Sequence, residues 1–216
     1  MVAIRWAMRN RERLWHAGVA ERTLWLTGFV LVFAGLPMFA DKWVYDHFYR
    51  ANLYDQDWAR MLRMMGFLPM WIVAAYAIWL QGQEVDRPRA KLRAWYMVIA
   101  PTVAGLGAEI LKLLLRRERP EANAGFYSFR QWSEQPFSTA GLALPSSHTM
   151  VAFGAATALG QLFPRARWVW YALAVGCGVT RVLSRAHFFS DAMFGALMGW
   201  CVGWGVWFVF KKRGEI

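Results

Sequence analysis

The chain has 216 residues, of which 57% are hydrophobic and 17% aromatic, and it contains 14 tryptophans. Its length suits a single domain, but its composition is far more apolar than that of a soluble protein. Apolar runs of about twenty residues recur, which predicts a polytopic membrane protein. The formal net charge of +11 would suit nucleic acid, but the basic residues cluster at the ends of the apolar runs. That placement favours topology control and contact with anionic lipid, so we expect no nucleic-acid partner.

The apolar runs predict an all-α fold with six transmembrane helices. The predicted spans are, in chain order, 23–40, 62–81, 94–115, 146–163, 168–183 and 190–210. We expect residues 1–22 to form a cytoplasmic basic amphipathic arm ahead of a six-span membrane domain at 23–213. A cleaved signal peptide is the alternative for this start, although the long basic lead disfavours it. Residues 41–61 are polar and aromatic, and we interpret them as an interfacial loop rather than as part of a site.

Small residues inside the spans predict packing rather than chemistry. Gly195, Gly199 and Gly203 recur every four positions along the last span, a pattern that lets one helix approach another closely. Cys177 and Cys201 both fall in apolar runs. They are expected to be buried thiols rather than a disulfide or a metal-binding pair.

An even number of spans places both termini on one side of the membrane. That side carries 14 of the 25 lysines and arginines, and the other side carries 11. The contrast becomes 14 against 8 when Lys112, Arg119 and Arg181 are set aside as site residues. The positive-inside rule then predicts cytoplasmic termini, with the third and fifth connections outside.

The first charged patch ends the third span. Lys112 and Arg119 are seven residues apart, or two helical turns, and so lie on one helix face. The alternative is snorkelling, in which cations at a helix end reach the lipid headgroups and do nothing else. We expect snorkelling of Arg116 and Arg117.

The second patch, Pro145-Ser146-Ser147-His148-Thr149, begins the fourth span. Proline followed by serine predicts a helix start, with Ser146 or Ser147 as the cap. A helix N-terminus presents unpaired amides and the positive end of the dipole, and therefore binds phosphate readily. The alternative is an ordinary capped helix with His148 at the membrane interface.

The third patch lies between the last two spans and contains Arg181, His187 and Asp191. Charge at bilayer depth costs about 2.5–3.5 kcal/mol per residue, so these groups need a partner or a function. Asp191 follows His187 by four residues, which places both on one helix face if the next helix has begun. A carboxylate that fixes the imidazole tautomer leaves the other nitrogen free as a nucleophile or base. The alternative is that His187 and Asp191 form a purely structural pair. Arg181 provides donors suited to phosphate.

All three patches fall on the predicted outer face, at the ends of three different spans. They combine three cations, a helix start, two histidines and a carboxylate. If the patches had no common function, three unrelated structural explanations would have to coincide by chance on one face. No glycine-rich nucleotide loop and no cluster with metal-ligand spacing competes. The sequence therefore predicts a metal-free phosphate site that faces outward.

These residues resemble the type-2 phosphatidic acid phosphatase family of integral membrane lipid phosphatases, whose signature is Lys-x6-Arg-Pro, then Pro-Ser-Gly-His, then Ser-Arg-x5-His-x3-Asp. The first motif matches at 112–120 with its spacing intact. The second matches at 145–148, where Ser147 replaces glycine, and the third at 180–191, where Thr180 replaces serine. Any one motif is a weak signal, but three in order with correct spacing form a specific match. The soluble vanadium haloperoxidases share a similar motif set and helical bundle, but the apolar spans argue against a soluble relative.

The resemblance implies a reaction through a phosphohistidine intermediate, without metal or cofactor. His187 attacks phosphorus, Asp191 orients and polarises it, and His148 protonates the leaving lipid oxygen and later activates water. The resemblance further implies that the phosphoryl oxygens are bound by Lys112, Arg119, Arg181, Ser146 and Ser147. Arg185 is left open: it contacts a diphosphate or a headgroup, or it snorkels.

The implied substrate is a lipid phosphomonoester or diphosphate, of the phosphatidylglycerophosphate, undecaprenyl diphosphate, phosphatidic acid or lipid A type. We expect residues 121–144 to influence this choice. The expected location is a bacterial-type inner membrane, with the site facing the periplasm or the cell exterior. Two alternatives remain open: a lipid phosphotransferase of the same fold, and a non-catalytic protein that binds or transports lipid phosphates.

Overall fold

The structure is a computed structural model that describes residue 28 and residues 35–212. The predicted amphipathic arm at 1–22 and most of the first predicted span therefore lie outside the described residues. Residues 35–47 are helical and are called α1. The helices that follow are α2 Asp57–Met64, α3 Leu68–Gly82, α4 Arg87–Leu115, α5 Ser147–Leu162, α6 Arg167–Leu183 and α7 Phe189–Lys212.

The described part of the chain is all-helical, as predicted. Short 3-10 helices lie in the connections at Leu53–Asp55, Pro120–Asn123 and Pro164–Ala166. The long connection between α4 and α5 contains two isolated antiparallel bridges, Arg117 with Phe129 and Glu118 with Leu142. These bridges fold the connection back over the end of α4.

The observed helices α5, α6 and α7 agree with the predicted spans to within two residues at each end. Helix α4 is longer than predicted and begins at Arg87 instead of residue 94. Its N-terminus is stabilised by Asp86, whose side chain accepts a hydrogen bond of 3.2 Å from the Arg89 amide. A proline in the first turn also favours a helix start, because proline has no amide hydrogen to leave unpaired.

The predicted second span, 62–81, is not one straight helix: it covers the end of α2, a break and most of α3. Helices α2 and α3 meet at an angle of 67°. Gly66 lies at the junction, where a Cβ would come within 2.6 Å of the His148 Cβ and 2.7 Å of its Cα. Only a glycine lets the chain turn this close to α5, so the break places the end of α2 directly against His148.

Not all of the six predicted spans are supported by helix length. Within residues 28 and 35–212, α4 and α7 are long and apolar enough to cross a membrane, and the bent pair α2–α3 is a third candidate. Helices α5 and α6 contain 16 and 17 residues. At about 1.5 Å per residue they fall short of a hydrocarbon core of about 30 Å. Six spans therefore stays a prediction.

Helix α5 is the centre of the bundle and packs against α4, α6 and α7. Its buried residues are mostly small, including Ala152, Ala155 and Ala156. Glycines on α7 allow the close approach: a Cβ at Gly195 would come within 2.8 Å of the Ser146 carbonyl oxygen, and Gly203 faces α5 in the same way. The predicted packing role of the glycine repeat is confirmed.

The two cysteines differ in their surroundings. Both thiols are free, as predicted. Cys177 is buried, but Cys201 is exposed. The prediction that Cys201 is buried was wrong, because this side of α7 faces away from α5.

Replacing Gly199 with alanine is expected to destabilise the protein, because the new Cβ would overlap the Met150 carbonyl oxygen. Overpacking of this kind costs about 1–3 kcal/mol. Gly205→Ala on the same helix is the matched control, since its Cβ would meet nothing within 4 Å. Thermal unfolding in detergent measures both variants. Equal stability of the two would contradict the packing described for α7.

Candidate active site

The three sequence patches meet at one end of the bundle. The Lys112 ammonium at the end of α4 donates a hydrogen bond to the Ser147 hydroxyl at the start of α5. The Ser146 amide donates to the Asp191 carbonyl oxygen at 3.1 Å, which joins α5 to α7. His148 lies in the first turn of α5, and His187 lies two residues before the start of α7. The predicted residues therefore share one region of the protein, although they are far apart in sequence.

His187 lies in the connection between α6 and α7 and is only 3% exposed. Its Nδ1 atom is 2.8 Å from the Ala143 carbonyl oxygen. A carbonyl oxygen can only accept, so Nδ1 carries the hydrogen and Nε2 carries the lone pair. Burial lowers the pKa of His187 to about 4, although the Asp191 carboxylate acts in the opposite direction. The imidazole is therefore neutral at pH 7, with Nε2 available for attack.

Asp191 does not hold His187 in the way that its spacing predicts. Helix α7 begins at Phe189, after His187, so the two side chains do not share a helix face. Asp191 Oδ2 accepts a hydrogen bond of 2.7 Å from the Phe188 amide and lies 3.8 Å from His187 Nδ1. The carboxylate therefore fixes the backbone next to His187 and acts on the ring through its charge.

Arg117 forms the strongest contact of Asp191. It was predicted to snorkel, and this was wrong: the residue is 1% exposed. Its guanidinium donates to Asp191 Oδ1 and, at 2.8 Å, to the Ser190 hydroxyl. The Tyr127 and Phe188 rings lie on it, with centroids 4.9 and 5.1 Å from Cζ. Aromatic rings and a carboxylate thus replace the water that a headgroup location would provide.

The same network reaches α1 through Asp41, which is 2% exposed. Its carboxylate accepts hydrogen bonds from the Ser190 amide at 2.7 Å and from the Ser190 hydroxyl at 2.5 Å. The Tyr127 hydroxyl donates to the same carboxylate at 2.7 Å. Two buried carboxylates and one arginine therefore surround the first turn of α7.

Arg116 was also predicted to snorkel and is instead 2% exposed. Its backbone adopts φ of 53° and ends α4. Its guanidinium lies 5.1 Å from the Trp132 ring centroid. It donates to four backbone carbonyls of the long connection, those of Arg130, Gln131, Glu134 and Pro136. Arg116 therefore holds the connection against the end of α4.

Three predicted phosphate-binding cations lie together. Lys112 is 7% exposed and pairs with Glu109 at 3.0 Å. Arg181 is 5% exposed and donates to the Tyr54 hydroxyl at 2.8 Å. In the described part of the chain, the Nε atoms of Arg119 and Arg181 are buried without a hydrogen-bond partner. Buried donors of this kind are available to an anion.

The two serines are placed differently from the cations. Ser146 is the N-cap residue of α5, and its hydroxyl accepts a hydrogen bond of 3.0 Å from Thr149. The Ser147 hydroxyl donates to Glu109 at 2.6 Å. The Ser147 hydroxyl is thus engaged by both Lys112 and Glu109, whereas the Ser146 hydroxyl accepts a hydrogen bond and keeps its own proton to donate.

Arg185 is occupied by α1. Its guanidinium donates to the Tyr45 carbonyl at 2.9 Å and lies 4.1 and 4.3 Å from the Tyr45 and Tyr49 ring centroids. Through these contacts, Arg185 ties the connection after α6 to the first helix and the residues that follow it.

Sequence reasoning missed several residues of the site. It placed Asp41 and Tyr54 in an interfacial loop, but both contact the site network. An acidic residue directly after an apolar span was the available signal for Asp41. Nothing in the local pattern distinguishes Arg117 from an ordinary cation at a helix end.

No group of three metal-ligating side chains lies together within the residues that the structure covers. Each predicted site residue lies at this end of the bundle, on α4, α5, α6 or α7 or in the connections between them.

Comparison with known proteins gives a family and several relatives. The model of the PAP2 superfamily matches residues 93–215. The lipid A 1-phosphatase of Rhizobium johnstonii is 38% identical over 117 residues, which cover 52% of this chain and 43% of the relative. That of Rhizobium etli is 39% identical over 113 residues, covering 50% and 45%. The bacitracin transport permease protein BcrC of Bacillus licheniformis is 28% identical over 136 residues, covering 63% and 61%. The match spans less than half the length of the two Rhizobium proteins, and no solved structure matches the chain significantly.

Replacing Arg117 with glutamine is expected to destabilise the protein strongly, because it leaves the buried Asp191 carboxylate without its cation. Breaking a buried pair costs about 3–5 kcal/mol. Arg89→Gln is the control, since its pair with Asp86 at 3.2 Å is exposed and such pairs contribute about 0–1 kcal/mol. Thermal unfolding in detergent compares them, and an Arg117 variant as stable as the control would show that the buried pair does not support the fold.

Proposed function

The chain belongs to the PAP2 superfamily, and on that basis we propose that it is a membrane lipid phosphate phosphatase. The family resemblance drawn from the three motifs is confirmed by this match. The observation that carries the proposal is the environment of His187: a buried, neutral imidazole whose Nδ1 is bonded to the Ala143 carbonyl. Its free Nε2 lies in the region that also contains Lys112, Arg119 and Arg181. A nucleophile beside a cluster of cations suits phosphoryl transfer.

The proposed substrate is a phosphate ester or anhydride on a lipid. Helices suited to a membrane support a lipid substrate, and two relatives are named lipid A 1-phosphatases. Lipid A-type phosphates are therefore candidate substrates, alongside the lipid diphosphates. The proposed location is a bacterial inner membrane, with the site on the outer side and both termini in the cytoplasm.

In the first proposed step, His187 Nε2 attacks phosphorus and the bond to the leaving oxygen breaks. His148 donates a proton to that oxygen, so that a neutral alcohol departs from a phosphomonoester. Lys112, Arg119 and Arg181 bind the phosphoryl oxygens, whose charge is redistributed during the transfer. The Asp191 carboxylate stabilises the imidazolium that forms when His187 becomes phosphorylated.

In the second step, water attacks the phosphohistidine. His148, now neutral, accepts a proton from that water, and the bond between Nε2 and phosphorus breaks. Inorganic phosphate leaves, and both histidines return to their starting states. No metal ion takes part in this scheme.

Replacing His187 with alanine is expected to abolish phosphate release while the protein remains folded, because no other group can form the covalent intermediate. The control is His47→Ala, since His47 is exposed on α1. Phosphate release from lipid A and phosphatidic acid in detergent, with EDTA present and no acceptor lipid, is the measurement. Near-normal release by the His187 variant would refute the nucleophile assignment. Loss of wild-type release in EDTA would refute metal independence, and release only with an acceptor lipid would indicate a phosphotransferase.

The activity is expected to depend on pH as a bell-shaped curve whose acidic limb lies near pH 4. His187 acts in its neutral form and its pKa is lowered to about 4, so activity is lost as pH falls through that value. The acidic limb is read from kcat/KM, corrected for the second ionisation of the substrate phosphate at about pH 6. The basic limb is read from kcat, because the negative charge of the bound phosphate favours the protonated form of His148 that donates the proton. An acidic limb at the ordinary histidine value of about 6.5 would contradict the effect of burial.

A further inference from the structure

A polar cavity of about 370 Å³ adjoins the proposed site. It lies between the segment before α2 and the ends of α4 and α6, and it shares Arg119 and Arg181 with the site. Two more arginines, Arg50 and Arg63, line it, together with the carboxylates of Asp55 and Glu121. Four arginines against two carboxylates leave a surplus of positive charge. The volume lies in the range of small-ligand sites, about 300–1,000 Å³.

Arg63 lies in the last turn of α2 and is exposed. Its guanidinium stacks on the Tyr54 ring at 4.6 Å, and the hydroxyl of the same tyrosine accepts from Arg181. Tyr54 therefore separates and orients the two arginines. Unlike Arg181, Arg63 is not part of any of the three sequence motifs.

The backbone of Arg63 is also next to the proposed general acid. The Cys177 sulfur lies 3.9 Å from the Arg63 carbonyl oxygen and 3.8 Å from that of His148. The charge of Arg63 acts on His148, as it does on Arg181. Gly66 holds the end of α2 against His148 at the start of α5, so Arg63 lies at the same end of the bundle as His148.

The charge of the leaving group decides what Arg63 has to bind. A phosphomonoester leaves a neutral alcohol once His148 has donated its proton, and Lys112, Arg119 and Arg181 already neutralise the transferred phosphoryl group. A lipid diphosphate instead leaves a lipid monophosphate, which carries a charge of about −1.5 to −2. A cation beside His148 stabilises that charge.

We propose that Arg63 binds the lipid-proximal phosphate of a diphosphate substrate and makes the enzyme selective for lipid diphosphates. The proposal rests on the proposed function. His187 Nε2 forms a bond to the terminal phosphorus, the bond from that phosphorus to the bridging oxygen breaks, and His148 donates its proton to that oxygen as lipid monophosphate departs beside Arg63. Water then attacks the phosphohistidine and gives a proton to the neutral His148, and inorganic phosphate is released, so that one water is consumed for each diphosphate.

The test compares farnesyl diphosphate with farnesyl monophosphate, which differ only in the second phosphate. Arg63→Gln is expected to lower kcat/KM for the diphosphate by about 10- to 100-fold, the loss typical of a hydrogen bond to a charged group. The monophosphate rate should fall much less, so that the ratio of the two drops at least about tenfold. Arg63→Lys should restore part of the diphosphate rate.

Arg89→Gln is the control, since Arg89 is exposed, pairs with Asp86 at 3.2 Å and does not line the cavity. It should leave both rates unchanged. An equal fall in both rates for Arg63→Gln, or no fall for the diphosphate, would overturn the role of Arg63. Wild-type protein that hydrolyses only the monophosphate would also overturn it and leave the proposed function standing. If neither substrate nor any lipid phosphate is hydrolysed, the proposed function itself fails.

Discussion

The arrangement of the site depends on one buried cation. Arg117 lies inside the protein at 1% exposure and joins Ser190 and Asp191 at the start of α7. Asp191 holds the Phe188 amide and so fixes the backbone next to His187. The Ser190 amide and hydroxyl are held by Asp41, which ties α1 to the same point. A charge in this position requires a buried counter-charge, because an unpaired buried ion costs several kcal/mol. That requirement selects one arrangement of α1, α4 and α7.

Helix α5 supplies the second constraint, through size rather than charge. Its small residues, and the glycines of α7, let the two helices pack closely enough to join the Ser146 amide to the Asp191 carbonyl. Gly66 brings α2 against His148 from the other side. The two histidines are 39 positions apart in sequence, and this packing is what brings them to the same end of the bundle. The chemistry proposed for the site therefore depends on residues that take no part in it.

The sequence predicted those features whose signal is local. Charged residues at the ends of apolar runs marked Lys112, His148 and His187, and helix periodicity placed α5 to α7 closely. Features set by distant partners were missed. Gly66 and Pro69 are local signals for the break after Met64, but the close contact of Gly66 with His148, more than 80 positions later, has no local signal. Arg117 differs from a snorkelling cation only because Asp191 and two aromatic rings surround it in the fold.

The most direct test of the account is to trap the covalent intermediate. The protein would be mixed with a lipid substrate labelled in its terminal phosphate, quenched in base within milliseconds, and mapped by peptide mass spectrometry. The account predicts a base-stable, acid-labile phosphate on the peptide that contains His187, and none on the peptide that contains His148. Label on His148, or turnover without label on either histidine, would contradict it.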